Sequence, residues 1–362
     1  MMPSYSQILL REAKKSKRSQ DWDRYSRLVE KFVQTEKLDE PRNSADDSWI
    51  HGCRPSSKYR TDIVALGLAN YFMRLYIDQN DRPRYIEKCV PVDDPEVAFW
   101  REYFSKNVSV PERRVRLNPP TFVGCFDSFA LIVFPFLSKA NAKPSALKSQ
   151  YRSRVLDVAS ALGTFNRVNI ASRRAHNSYL ERTTWLRSPR VPNRSQLLAA
   201  FGTDIEHYGV ERIQANIDDL RGAWPGIRAA LRAGPWCISH QDAGPGNVLF
   251  AGKRTYLIDW DNVAIAPLGS DLHTCIRWAT EGALDSGDGL GSLIEAYLGA
   301  RGPDDDVNAE GVELAAWAHF CARYLNFDKW ASARNFDSYR LAVKSIPRLI
   351  ALSESHNVTG DC

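Results

Sequence analysis

The residues best placed for chemistry lie in one stretch, Ile238-Ser239-His240-Gln241-Asp242-Ala243-Gly244-Pro245-Gly246-Asn247-Val248-Leu249-Phe250. After a short turn comes Tyr256-Leu257-Ile258-Asp259-Trp260-Asp261. An apolar strand runs into His240-x-Asp242, a Gly/Pro-rich loop follows, and Asn247 opens a second apolar strand. A tight turn at Gly252-Lys253 leads to a third strand, which ends on Asp259. An Asp, an Asn and a second Asp are thus presented at strand ends. This suits a metal-phosphate site, with hard oxygen donors for Mg²⁺ and one carboxylate left over as a base. Turn chemistry alone also favours Asp, Asn, Gly and Pro in loops. Correct spacing in both halves, each framed by strands, favours the chemical reading.

The spacing His-x-Asp-x-x-x-x-Asn, followed by an Asp at a strand end, is the catalytic signature of kinases. Asp261 stands where protein kinases carry Gly, and Asp259-Trp260-Asp261 resembles the aminoglycoside phosphotransferase superfamily, which includes choline kinase-like and other small-molecule kinases. The resemblance is one of motifs and spans roughly residues 67 to 271. It implies an α+β, bilobal protein-kinase-like fold, a small antiparallel β lobe plus a large mainly helical lobe. It also implies ATP and Mg²⁺ in the cleft and phosphorylation of a small-molecule hydroxyl. By that resemblance Asp242 is the catalytic base, and Asn247 and Asp259 hold Mg²⁺. Asp261 reaches a second metal directly or through water, and His240 braces the loop. Asp271 becomes the buried helix-start aspartate that pins the loop, and its chemistry fits an N-cap.

The elements that must position these groups are legible in outline. Ile63 to Leu66 reads as a short strand, and Gly67-Leu68-Ala69-Asn70 as the turn that the resemblance lays over the nucleotide phosphates, with a single glycine. Tyr71 to Asp78 and Arg84 to Val90 read as strands joined by a polar hairpin. Lys88 sits where the resemblance expects the lysine that meets the α- and β-phosphates. Asp93-Asp94-Pro95-Glu96 starts a helix through Phe104, with acid at the cap and Pro in the first turn. Glu96 shares a face with Trp100 and Tyr103, whereas Glu102 falls on another, so Glu96 is the expected partner of Lys88 and Glu102 the fallback. Phe122 to Phe126 and Phe129 to Phe134 complete an expected five-stranded antiparallel lobe. Pro135-Phe136-Leu137 follows at the position of the adenine-binding hinge. From Pro144 the chain turns helical, with a stripe over Leu147, Tyr151, Val155, Leu156, Ala159 and Leu162 and further helices from Ser195 to Arg232.

The expected division is 1–56 as a charged extension with one amphipathic helix (Trp22, Tyr25, Leu28, Val29, Phe32, Val33), 57–137 as the β lobe and 138–362 as the helical lobe. The basic cluster Arg11 to Arg18 reads as a solvated helix face. Gly287-Asp288-Gly289-Leu290-Gly291 lacks a preceding strand and reads as a linker. Trp317, Phe320, Tyr324, Phe327 and Trp330 read as a buried helical stripe.

The chain has 362 residues, 44% hydrophobic and 25% charged, with net charge +5. These are ordinary globular values, and so mild a basic balance requires no specific nucleic acid. No apolar run approaches a membrane span. Seven scattered cysteines without a C-x-x-C pair read as reduced thiols in a cytoplasmic protein. The other function class open at this stage is a pseudokinase, which binds nucleotide or a protein partner without transfer.

Overall fold

The computed structural model describes residues 5–36, 38, 48–52, 55, 58–64, 70–110, 115–137, 148–170, 193–205, 209–251, 254–280, 289–301, 308–325 and 336–358. Gly67, the turn at Gly252-Lys253, Leu147, Phe327 and Trp330 lie outside them. The chain divides into two units. One holds residues 1–108, 117–140 and 259–261, the other residues 109–116, 141–258 and 262–362.

In the first unit, strands rich in β-branched and aromatic residues form an antiparallel sheet. They are β1 (Ser48–Gly52), β2 (Arg60–Val64), β3 (Phe72–Ile77), β4 (Pro83–Pro91), β6 (Phe122–Cys125) and β7 (Phe129–Pro135); β5 (Val115–Leu117) lies outside this sheet, in a three-stranded one. The order is β1-β6-β7-β4-β3-β2, six strands where five were expected. The additional strand, β1, pairs at the edge with β6, Ser48 opposite Cys125 and Gly52 opposite Phe122. Gly52 has φ +73°, and a Cβ there would lie 2.0 Å from the Thr121 carbonyl oxygen, so only glycine fits.

The period of two along a strand sorts side chains to opposite faces. Register places Phe72 opposite Cys89 and Cys89 opposite Leu131, while Lys88 stands opposite Met73 and Ile132. The Cys89 face is covered by two helices, α1 (Tyr5–Arg18) and α2 (Trp22–Thr35). Leu9, Leu10, Ala13, Tyr25, Val29, Phe32 and Val33 form one apolar cluster with Phe72, Cys89, Phe122, Phe129, Leu131 and Val133. Each large side chain so buried contributes about 1.5–3 kcal/mol. This corrects the expectation of one helix before residue 56. The basic run forms the second half of helix α1, with Arg11, Lys15 and Arg18 exposed as a solvated helix face requires, but Lys17 is buried and donates to Asn70 Oδ1 at 2.7 Å. The same face buries Arg74 against Glu87 at 2.7 Å, with Tyr76 Oη donating to Glu87 at 2.8 Å. The Lys88 face receives α3 (Pro95–Phe104), where Trp100 packs 5.8 Å from the Phe134 ring.

The second unit is mainly helical: α4 (Lys148–Val168), α5 (Arg194–Phe201), α6 (Val210–Ala233), α7 (Leu272–Thr280), α8 (Gly289–Arg301), α9 (Ala309–Tyr324) and α10 (Phe336–Val358). The α4 stripe buries Val155, Ala159 and Leu162 as the periodicity predicts. Part of the expected glycine linker is instead the start of α8. Phe320 and Tyr324 are buried on α9 with ring centroids 4.6 Å apart, as expected of a core stripe. Two small sheets carry the loop residues. β8 (Trp236–Ser239) pairs with β11 (Ala264–Pro267), and β9 (Val248–Ala251) pairs with β10 (Arg254–Leu257).

Candidate active site

The expected site residues fall into two groups. In the first unit, the Asp94 side chain caps α3 by accepting the Glu96 N–H at 2.9 Å, with Pro95 in the first turn. The helix thereby points Glu96 at β4. Lys88 Nζ donates to Glu96 Oε2 and to Asp259 Oδ1. Glu96 Oε1 also accepts the Trp260 N–H at 3.2 Å and Trp100 Nε1 at 3.5 Å. The Trp260 ring stacks on Phe99 at 4.1 Å between centroids. Burial works against the Lys88 ammonium, but the carboxylates of Glu96, Asp259 and Asp261 outweigh it and hold its pKa above the ordinary lysine value. Glu102 faces away and accepts from Asn107 Nδ2 at 2.6 Å.

Asp259 adopts φ +63°, a left-handed conformation that costs a non-glycine residue about 1–3 kcal/mol. Its side chain remains 35% exposed. Asn70 is occupied by Lys17, whose pKa burial and the ammonium groups of Lys14 and Lys88 bring down to about 8. Phe136, at the expected hinge position, donates its backbone N–H to the Arg84 carbonyl at 2.8 Å.

In the second unit, β8 delivers a tightly held loop. Asp271 accepts the N–H of Gln241 on Oδ1 at 2.6 Å, and on Oδ2 both the His240 N–H and Asn166 Nδ2 at 3.3 Å. Its buried carboxylate therefore holds the loop, the role that the resemblance implies for this helix-start aspartate. Tyr297 Oη donates to Asn166 at 2.7 Å, and Asn166 Nδ2 also reaches the Ile238 carbonyl at 2.9 Å. Gln241 takes φ +65°, held by donation from its side chain to Ser239 Oγ and, at 3.0 Å, to Ser270 Oγ. His240 Nδ1 accepts the Asp242 N–H at 3.3 Å, so Nε2 carries the proton and donates to the Ile258 carbonyl at 2.9 Å.

This leaves the Asp242 side chain 30% exposed at the loop's tip. Asn247 Nδ2 donates to Asp242 O at 2.9 Å and to Asp242 Oδ2 at 3.2 Å. These bonds commit the amide nitrogen of Asn247. An amide oxygen is a hard donor of the kind Mg²⁺ takes, and so, in the first unit, is the part-exposed Asp259 carboxylate. Among the described residues no three His, Cys, Asp or Glu side chains gather into a metal cage.

Sequence reasoning passed over Arg323, His273, Asn166 and Tyr297. Arg323 Nη2 reaches Asp242 Oδ1 at 3.2 Å. No spacing signal marks such a residue, because the contact joins positions 81 apart in the chain. The five described cysteines are buried thiols that form no disulfide with one another. No helix among the described residues is long and apolar enough to cross a membrane.

Comparison with known proteins follows the same lines. No curated protein matches the chain in sequence. Among solved structures, amicoumacin kinase hAmiN in complex with AMP-PNP, Ca²⁺ and Ami is similar with a TM-score of 0.50 at 11% identity, covering 83% of this chain and 90% of that one. Choline kinase from Cryptosporidium parvum Iowa II gives a TM-score of 0.47 at 15% identity, over 83% and 93% of the two chains. An aminoglycoside phosphotransferase from Alicyclobacillus acidocaldarius gives 0.45 at 17%, over 83% and 93%. The fold is kinase-like and α+β. The profile of the APH phosphotransferase enzyme family matches residues 122–310, more than half of the 362, and the chain belongs to that family.

Proposed function

We propose that this phosphotransferase is an ATP- and Mg²⁺-dependent small-molecule kinase whose acceptor is a hydroxyl of an aminoglycoside, amino alcohol or sugar type. The observation that carries the reading is the buried Lys88 ammonium, bound by Glu96 and Asp259. A lysine in a strand ordinarily points to water. One kept inside and kept charged suits the oxygens of a polyphosphate. The ATP analogue and divalent cation in the amicoumacin kinase complex support the same choice of donor.

In the proposed reaction the acceptor oxygen bonds to Pγ as the bond from Pγ to the bridging oxygen breaks. The electron pair leaves with ADP, and the hydroxyl proton passes to Asp242. Lys88 meets the α- and β-phosphates, and Glu96 holds the ammonium in place. Asn247 and Asp259, with Asp261 as a further carboxylate, would supply the protein donors to Mg²⁺, which would neutralise charge on the phosphates. Gly67 and Asn70 belong to the phosphate turn, and Phe136 offers adenine its carbonyl. His240 and Asp271 hold Asp242 in place.

The test is incubation with MgATP and a library of hydroxyl compounds, read as a mass gain of one phosphoryl group. Asp242→Asn should keep the fold and nucleotide binding and lose about 10²–10⁴-fold in transfer. Transfer at the parent rate by that variant removes Asp242 from the mechanism. Nucleotide binding by the parent protein with no transfer to any hydroxyl would favour the pseudokinase reading.

A further inference from the structure

Arg323 lies near the end of α9, beyond the 122–310 stretch that the family profile matches. Its guanidinium makes three described hydrogen bonds, to Asp242 Oδ1 at 3.2 Å, the Gln241 carbonyl at 3.0 Å and His273 Nε2 at 3.0 Å. Guanidinium only donates, so His273 Nε2 must be the bare nitrogen. Nδ1 then carries the proton and donates to the Ser270 carbonyl at 2.9 Å. The His273 ring stacks on His319 with centroids 3.9 Å apart and planes 21° from parallel. Burial foremost, then the charges of neighbouring groups, keep both rings neutral, His273 well below the usual histidine range and His319 at about 3.

The helix that carries Arg323 is itself seated by the turn that holds the loop. Gly269 has φ +93°, and a Cβ there would meet Val312 Cγ1 and the Val312 carbonyl oxygen of α9, each at 2.8 Å. The next residue, Ser270, takes the Gln241 side chain on its hydroxyl and His273 on its carbonyl. One turn therefore sets the spacing between α9 and the loop. Asp242 meets one donor on each oxygen, Arg323 on Oδ1 and Asn247 on Oδ2. Two donors on opposite oxygens fix the carboxylate's plane, where one would leave it free to rotate.

We propose that Arg323 is a positioning residue for the base, with the neutral His273–His319 stack holding the guanidinium in register. The proposal rests on the reading of Asp242 as the base. A base fixed in orientation presents its lone pair to the hydroxyl in most bound complexes, and small misplacements of such a group are costly in rate.

The experiment uses the full chain with MgATP and water as the acceptor, following phosphate release. Arg323→Ala should lower kcat by about 10–100-fold with little change in KM for MgATP. Added guanidinium should restore part of the loss, and Arg323→Lys should fall between. A merely structural brace would change the melting temperature without rescue. In the parent protein, ¹⁵N spectra should show His273 as the Nδ1–H tautomer, and Arg323→Lys should change that signal even if Arg323→Ala does not fold. Parent-like kcat in both Arg323 variants, with Asp242→Asn inactive, overturns the positioning role and leaves the base intact. Parent-like hydrolysis by Asp242→Asn overturns the reading of the base instead. An Nε2–H tautomer at His273 overturns the arrangement irrespective of activity.

Discussion

Replacing Glu96 by Gln tests how the phosphate lysine is held. The Glu96 side chain is 0% exposed and that of Lys88 6%, so water screens neither. Glutamine preserves shape but leaves the ammonium with Asp259 alone, which is 35% exposed. Removing one partner from a buried pair costs about 3–5 kcal/mol. Because a second carboxylate stays behind, the expected loss is smaller, about 2–3 kcal/mol. Urea unfolding followed by tryptophan fluorescence measures the loss. Lys88→Met removes the other partner, and the double variant leaves without its ammonium only Asp259, which is 35% exposed and so reaches water. The coupling energy in this cycle should therefore be about 2 kcal/mol. Glu102→Gln, an exposed carboxylate bonded to Asn107, should change stability by less than about 0.5 kcal/mol. The same cycle on kcat/KM for ATP should couple Lys88 to Glu96 more strongly than to Glu102 by about 1 kcal/mol. Additivity in both cycles, or stronger coupling to Glu102, would refute the assignment.

ATP should raise the melting temperature far more with Mg²⁺ than without, and Asn247→Ala and Asp259→Asn should each abolish the Mg²⁺-dependent part; if both variants retain it, the metal donors lie elsewhere. His319 has its pKa depressed from 6.5 to about 3, so the unfolded chain binds the extra proton first and stability falls as pH drops below about 6.5 toward 3. His319→Phe keeps a ring on His273 and removes this titration, so the variant should lose less stability than the parent between those pH values, by a few kcal/mol in order of magnitude; parallel pH curves would contradict it. Gly269→Ala adds a Cβ within 2.8 Å of the Val312 carbonyl at a left-handed φ, and should destabilise by about 2–4 kcal/mol in urea unfolding.

The legible features were those encoded over short distances. The five-residue interval from Asp242 to Asn247, the period of two in β4 and the cap Asp94-Pro95-Glu96 are each set by neighbours in the chain. They placed Glu96 and Trp100 on one face of α3, and that face meets Lys88. Helix α2 was legible because Tyr25, Val29, Phe32 and Val33 repeat at helical spacing. Helix α1 was not, because its buried positions include Ala13 and Lys17 within a basic run that reads as surface. Strand β1 has five residues and gains its place only by pairing with β6.

The contacts that hold the chemical groups lie further apart: 171 residues from Lys88 to Asp259, 105 from Asn166 to Asp271 and 81 from Asp242 to Arg323. Periodicity and turn propensity report how a segment folds on itself, because they arise from backbone sterics and local hydrogen bonding. Which arginine, among many on helical faces, meets Asp242 depends on how helices pack against turns. That packing is decided by surface complementarity, such as Gly269 against Val312, which acts between segments and leaves no period in either one.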